Sequence, residues 1–295
     1  MSRLADTIVL AVDGGGTRCR IAVSDGSVAR QVEVGAANVS TDFEAACAEL
    51  NRGIADLAKQ AGLNGAQIAG TSAYLGLAGI TGKTLAERLA ARLPFERARI
   101  EDDRPSALRG ALGSKDGFVA HCGTGSFLAS QRDGQIRLAG GWGPVLGDQA
   151  SAQWVGRQAL ARTLDCVDGI APTSDMANGL LARFDGAAGI VGAASMMTPT
   201  EFGALAPVVT LSAEQGDALA RAIMEAGARY LADQIEAMGW KPGLSICLTG
   251  GIGPQYAPYL SEIMQQDLTE PLGDPLAGAI ALARAFHEEI EHERC

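Results

Sequence analysis

Cysteine and histidine are too sparse and too scattered here to build a metal cluster. Six cysteines stand at 19, 47, 122, 166, 247 and 295, none in a Cys-x-x-Cys pair, and there are only three histidines. That scarcity argues against a zinc site or a disulfide framework and favours reduced thiols in a cytosol. No stretch approaches the roughly 20 apolar residues needed to span a bilayer. Residues 1–7 lack the long apolar run of a signal peptide, so a cytoplasmic protein is expected. Positive charge is not in excess either. The formal net charge is −10, which argues against nucleic acid or an anionic membrane as partner. An anionic small molecule stays open, because a local site can be positive within an acidic protein. No low-complexity linker divides the chain.

What is present is ample apolar material, 47% of 295 residues, in a chain longer than one compact core usually holds. Two domains are expected. Residues 7–12 (Thr-Ile-Val-Leu-Ala-Val) read as a buried strand running into the turn Asp13-Gly14-Gly15-Gly16-Thr17. Residues 18–23 read as a second strand, Asp25-Gly26 as a hairpin signal, and residues 28–34 as the returning strand. The same order recurs about a hundred residues on. Strand 118–122 leads into Gly123-Thr124-Gly125-Ser126, then strand 127–130 and the hairpin signal Asp133-Gly134. The repetition predicts two domains built from one ancestral unit, with a coincidence of two hairpins as the alternative.

Elsewhere the pattern is α/β. Helices are expected at 42–61, 84–93, 105–112 (Pro105 in the first turn), 152–163, 215–238 and 275–293. Further strands are expected at 72–78, 98–101 and 244–248. Residues 168–200 are rich in Gly and Ala and give no clear period. The expected domains are 1–113, joined by the C-terminal segment 283–295, and 114–282. Their sheets should be mixed, because the hairpins add antiparallel strands.

Three glycine turns follow buried strands. In the first, glycine backbone N–H groups can approach phosphate oxygens with no Cβ in the way, Thr17 adds a hydroxyl, and Asp13 can hold Mg²⁺, through water. The alternative is a tight turn with a solvent-facing Asp. Gly123, Thr124 and Gly125 follow the same logic, and Gly250-Gly251 after Thr249 would let a base or ribose lie against the backbone. The stretch from Gly76 through Gly79 to Gly82-Lys83-Thr84 resembles a P-loop. However, five residues separate its outer glycines and Leu77 occupies a required glycine position. It reads as a loop near a ligand pocket.

Glu101-Asp102-Asp103 ends a predicted strand just before a helix, where open α/β sheets bind ligands. A carboxylate there can accept a proton from an attacking hydroxyl or cap the helix, and the local sequence leaves both open. Gly140-Gly141-Trp142-Gly143 through Gly147-Asp148-Gln149-Ala150-Ser151 offers an apolar wall for a sugar face and a carboxylate for vicinal hydroxyls. A folded loop around a core Trp is the alternative.

Taken in order, Asp13-Gly-Gly-Gly-Thr17, Gly123-Thr-Gly-Ser126 and Gly141-Trp-Gly with Gly147-Asp148 resemble the N-acetylglucosamine kinase family. That family is grouped with the BadF/BadG/BcrA/BcrD ATPases in the actin-like superfamily. The resemblance implies two actin-like (ribonuclease H-like) domains with a ligand cleft between them, and ATP and Mg²⁺ as cofactors. It matches Asp103 to the catalytic Asp. Asn38, Gly79, Thr124, Gly141, Trp142 and Asp148 fall to the amino sugar, and Gly14, Gly15, Gly16, Thr17, Gly123, Thr124, Gly125, Gly250 and Gly251 to the nucleotide. Asp13 falls to the metal. The family reads Gly-Asp-Glu-Gly-Ser where this chain has Gly147-Asp148-Gln149-Ala150-Ser151.

The implied reaction moves the γ-phosphoryl of ATP to the 6-hydroxyl of N-acetylglucosamine. Glucosamine kinase is the close alternative, and the ATPase activator of a dehydratase or reductase a more distant one. That activator holds an iron–sulfur cluster in a local cysteine motif, whereas Cys122 is the only cysteine beside a candidate site here. A homodimer stays open.

Overall fold

The computed structural model describes residues 8–15, 18–26 and 29–294. The chain divides into two compact units. The first comprises Met1–Ser114 and Leu272–Cys295, the second Lys115–Pro271. The first unit therefore resumes at Leu272, ahead of the boundary at 283 expected from the sequence, and takes in the whole C-terminal helix.

The first unit holds a five-stranded sheet in the order β3-β2-β1-β4-β5. Its strands are β1 (Val9–Gly14), β2 (Cys19–Ser24), β3 (Ala29–Val34), β4 (Ser72–Leu77) and β5 (Arg97–Glu101). β1, β2 and β3 form an antiparallel meander, while β4 and β5 run parallel to β1. β1 and β4 are buried almost throughout and accordingly read as continuous apolar runs rather than as alternation.

Helices cover both faces. α1 (Phe43–Ala61) packs Leu50, Ile54 and Leu57 on one face with Leu10, Val12 and Ile21. Asp42 caps its N-terminus and Gly62, at φ 71°, turns the chain out of it. The short α2 (Gly65–Gly70) and α3 (Lys83–Ala90) follow, then α4 (Arg104–Leu112). The C-terminal helix α13 (Pro275–Glu293) sets Leu276, Ala279 and Ala283 against Val9, Ala11 and Tyr74 on the other face. It crosses α4 closely. A Cβ on Gly278 would collide with the Ser106 carbonyl oxygen, and one on Gly110 with that of Asp274.

The second unit repeats the plan with a four-stranded sheet, β8-β7-β6-β9. Its strands are β6 (Gly117–Cys122), β7 (Ser126–Arg132), β8 (Gln135–Gly140) and β9 (Ile246–Thr249). β6, β7 and β8 form the antiparallel meander and β9 pairs parallel to β6. The short α5 (Gly143–Leu146) leads to α6 (Ala152–Val167). The stretch 168–200, without clear period, folds into α7 (Asp175–Arg183), α8 (Gly186–Ala194) and the start of α9 (Pro199–Gly203), and α10 (Ala206–Glu214) follows it. α11 (Ala218–Ala237) and the short α12 (Glu262–Gln266) complete the unit.

Gly and Ala dilute the period of that stretch, and its helices are anchored by a few larger apolar residues, Met176, Leu180 and Ile190. Gly156 of α6 lies against the Phe202 carbonyl of α9, where a Cβ could not fit. α11 begins three residues after the expected start at 215, because Gly216, at φ 92°, closes a turn and Asp217 then caps the helix by accepting from Ala220 N at 3.0 Å. Among the described residues, no helix is long and apolar enough to cross a membrane.

Candidate functional site

Residues singled out in the sequence converge within each unit. In the first, β1, β4 and β5 run parallel, so their carboxyl ends form one edge, where ligands of such sheets bind. Asp13 lies beside Gly76 in register, and Gly76 beside Glu101. A Cβ on Gly76 would stand 2.7 Å from Ser106 Oγ and 3.5 Å from Asp103 Cα, so glycine lets the start of α4 close onto the sheet. The loop after β3 crosses the same edge: Ala37 N donates to Gly15 O at 3.2 Å and Val39 N to Ala78 O at 3.3 Å. This sets Asn38 against Gly79. Asn38 Oδ1 accepts from Ser40 N at 3.0 Å and Ser40 Oγ at 2.8 Å. Gly79, at φ 86°, has no room for a Cβ beside it.

Two acids behind β5 divide the two roles left open by the sequence. Asp102 Oδ1 accepts from Arg104 N at 3.0 Å and so satisfies a donor at the start of α4. Asp103 occupies the N-cap position but makes no side-chain cap bond. Burial, then the negative charges of Asp102 and Asp13, push its carboxyl up to about 7. Such a group is poised to exchange a proton near neutral pH.

Asp13 is differently held. Its Oδ2 accepts from Arg20 Nη2 at 2.6 Å and Nε at 3.2 Å, and Arg20 also pairs with Asp274 at the N-terminus of α13. Burial pushes the Asp13 carboxyl up and Arg20 draws it down, leaving it above the usual range. Among the described residues no group of three or more His, Cys, Asp or Glu could cage a metal. A single carboxylate at a strand end instead fits Mg²⁺ delivered with nucleotide phosphates, which keeps much of its water. Gly15 N donates to Arg18 O at 2.9 Å to close the turn, while Gly14 is glycine because Leu77 fills the space of its Cβ. Gly16 and Thr17 lie outside the described residues.

The second unit gathers its turns as tightly. Gly123 N donates to Gly125 O at 2.9 Å, and the first turn of α6 ties the loop down, with Ala152 N donating to Gly123 O at 2.9 Å and Gln153 N to Thr124 O at 3.4 Å. Gly250, at φ 81°, lies so close to the Cys122–Gly123 peptide that a Cβ would collide with it, and Ile252 N donates to Cys122 O at 3.1 Å. The Gly250-Gly251 turn is thus packed on the 123–125 turn.

Asp148, at φ 59°, reaches the same place. Its Oδ2 lies 2.8 Å from where a Cβ on Gly125 would be. Burial raises its carboxyl, against the backbone N–H groups of Ser126 and Gly143, which it accepts. At 8% exposure Asp148 is a brace of this loop, with little surface for a ligand. Gly141 N donates to Ser126 O at 3.0 Å, and beyond it Trp142 is 74% exposed, with Val145 and Leu146. Trp142 is therefore an open apolar wall and not a core residue.

The sequence did not single out Arg20, Asp274 or His121. Asp274 lies 254 residues from Arg20 and Thr249 lies 128 residues from His121, separations that no local pattern records. A shallow cavity lined by Ile8, Val23, Asp25 and Leu63 sits at the opposite end of the β1–β2 hairpin from Asp13.

Comparison with known proteins decides the family. The model of the BadF/BadG/BcrA/BcrD ATPase family matches residues 10–282. The chain belongs to this family. It is 27% identical over 278 residues to the glucosamine kinase GspK of Vibrio cholerae, covering 93% of this chain and 95% of that one. It is 26% identical over 315 residues to an N-acetyl-D-glucosamine kinase of Dictyostelium discoideum, covering 95% and 98%. A solved structure from Chromobacterium violaceum, whose proposed activity is N-acetylglucosamine kinase, superposes with a TM-score of 0.83 at 30% identity. That match covers 95% of this chain and 99% of the other.

Proposed function

We propose that this protein is an ATP-dependent amino-sugar kinase that phosphorylates the 6-hydroxyl of N-acetylglucosamine. The observation that carries the chemistry is Asp103. It stands at the carboxyl end of a parallel strand, free of cap duty, with its carboxyl held near neutrality. A carboxylate there takes the proton of the attacking sugar hydroxyl as the phosphoryl group arrives. Asp13 would hold Mg²⁺, which would supply neutralisation of phosphate charge there. Gly15, with Gly16 and Thr17, and the 123–125 turn contact phosphates, while Gly250 and Gly251 face the adenosine. Asn38, Gly79, Thr124, Gly141 and Trp142 form the sugar side, with Trp142 offering its face to the ring and Asp148 bracing the loop behind it.

The free-amine sugar is the second reading, favoured by the likeness to the Vibrio cholerae glucosamine kinase. Gln149 bears on the choice. Glucosamine is largely cationic near neutral pH and gains from a carboxylate beside its nitrogen, whereas an N-acetyl group is neutral and needs apolar space with amide partners. The chain has a neutral, partly accessible Gln149 where the family has Glu, which favours the acetylated sugar. Coupled ADP release across a panel of amino sugars tests this. A kcat/KM for N-acetylglucosamine well above that for glucosamine is expected. The reverse ratio makes glucosamine the substrate, and turnover with neither sugar overturns the reading.

A further inference from the structure

His121 occupies in the second unit the position that Asp13 occupies in the first. Each is the residue before the last pair of its hairpin: Asp13 pairs with Arg20, His121 with Phe127. Each lies beside the parallel strand at matching register, Asp13 next to Gly76 and His121 next to Thr249. The burial sequence along β1 and β6 is also the same, with only this fifth residue keeping accessible surface.

The surroundings of the ring are built rather than incidental. The imidazole stacks on Phe127 with centroids 5.0 Å apart and planes 20° apart. Nδ1 is 3.1 Å from Thr249 Oγ1. Nε2 points at the glycine turn, 3.2 Å from where a Cβ on Gly123 would be. One nitrogen is therefore occupied and the other is directed at the turn.

We propose that His121 Nε2–H donates a hydrogen bond to a phosphate oxygen of the nucleotide seated on the 123–125 turn, with the Thr249 hydroxyl donating to Nδ1 and so fixing that tautomer. The inference rests on the reading of this turn as a phosphate site. A glycine at 123 leaves the ring edge uncovered, and Phe127 prevents it from rotating away. Burial lowers the imidazolium pKa to about 4, so the free ring is neutral at pH 7. It supplies a directed donor and not a charge. The groups facing it from β7, β9 and the turn are Phe127, Thr249 and Gly123, all uncharged. The nearest acid at the turn, Asp148, is taken up by Ser126 and Gly143.

The test compares ATP and sugar kinetics in His121→Phe and His121→Gln. Phe keeps the stack and removes the donor, so the KM for ATP should rise about 10- to 100-fold, the range for a hydrogen bond to a charged group. The sugar KM should stay at its wild-type value. Gln can place an amide N–H near Nε2 and should recover much of the loss. In the wild-type protein, ¹⁵N spectra of the three histidines should show a protonated Nε2 in His121 that shifts when a non-hydrolysable ATP analogue is added. This readout needs no variant to fold, and a purely structural ring would not give it. An unchanged ATP KM in His121→Phe, or an Nε2 signal unmoved by saturating nucleotide, overturns the proposal. Gly125→Val separates the two readings. If it abolishes ATP use while His121→Phe does not, only the role of His121 fails; if it too leaves the ATP KM unchanged, the phosphate reading of the turn fails.

Discussion

The two units share a hairpin, a parallel neighbour strand and a glycine turn, yet the residue at the end of the first strand differs in chemistry. In the first unit it is Asp13, in an ion pair with Arg20 that extends to Asp274. In the second it is His121, neutral and stacked on an aromatic ring. The first unit concentrates charge at its edge, with Asp102 and Asp13 both within electrostatic reach of Asp103. The second encloses the acid beside its glycine turn, Asp148, in backbone donors. The turns differ too. Gly250 is wedged against the Cys122–Gly123 peptide, whereas a Cβ on Gly15 would meet only Arg18 O, at 3.5 Å. One backbone plan thus carries a charged edge in one unit and a neutral one in the other.

The largest expected effect sharpens the charged side of this contrast. Asp103→Asn should cut turnover about 10²–10⁴-fold, the usual contribution of a positioned base, while sugar and ATP still bind. Lost binding with normal turnover at saturation would make Asp103 a positioning group instead. The same carboxyl sets two pH trends. As a base it acts in the ionised form, so kcat/KM should rise with pH and level off above about 7. Its folded pKa lies above the unfolded value, so the fold is favoured while the group is protonated, and that advantage is lost as pH rises through the folded pKa. Asp103→Asn removes this loss. Its melting temperature should exceed that of wild type by more at about pH 8 than at about pH 5, and an equal gap at both would remove the burial argument.

Asp13→Asn comes next. It leaves the shape nearly intact but takes away the carboxylate opposite Arg20, and about 10²–10³-fold in activity with Mg-ATP should go with it. If steady-state kinetics across a Mg²⁺ titration are unchanged, the first unit's acid is merely the partner of Arg20 and the two strand ends are chemically equivalent after all.

Gly250→Ala probes the packed side. The new Cβ would strain a residue at φ 81° and strike Cys122. The left-handed strain costs about 1–2 kcal/mol and the overpacking about 1–3 kcal/mol. Thermal unfolding should register a loss of about 2–5 kcal/mol. A melting curve like that of wild type would show that the two glycine turns do not differ in tightness.

How far the sequence revealed this arrangement depended on the range of the interactions. Both meanders were legible because Asp25-Gly26 and Asp133-Gly134 mark hairpins between short apolar strands, and each ladder joins neighbours in sequence. The three glycine turns and Asp103 were legible because each follows a buried strand. The roles of Asp102 and Asp103 were not separable until Asp102 was seen to take the Arg104 N–H. The helices between 168 and 200 were hidden because Ala and Gly dilute their period, leaving only a few larger buried residues, Met176, Leu180 and Ile190, to mark it. Arg20 and His121 were hidden for another reason. What defines them is a partner across the fold, Asp274 for one and Thr249 for the other, and no local pattern encodes such a meeting. Asp148 was legible as important, but as a ligand contact; its bonds to Ser126 and Gly143 could not be read from its own loop.

The smallest expected effect is the most direct comparison of the turns. Gly15→Ala places a methyl where the first unit offers ordinary contact at 3.5 Å, and Gly15 does not need a left-handed φ. Replacing glycine at such a position restricts the unfolded chain and favours folding by about 0.4–1 kcal/mol. The melting temperature should therefore hold or rise slightly, in contrast to Gly250→Ala. If phosphate approaches this turn, the methyl stands in its way, and the KM for ATP should rise by roughly tenfold, corresponding to about 1.4 kcal/mol of lost interaction. Stability kept with ATP affinity reduced would show that Gly15 is glycine for its ligand, whereas Gly250 is glycine for its packing. A clear loss of stability in Gly15→Ala would mean that the first turn is as tightly built as the second, and the contrast between the units would then rest on charge alone.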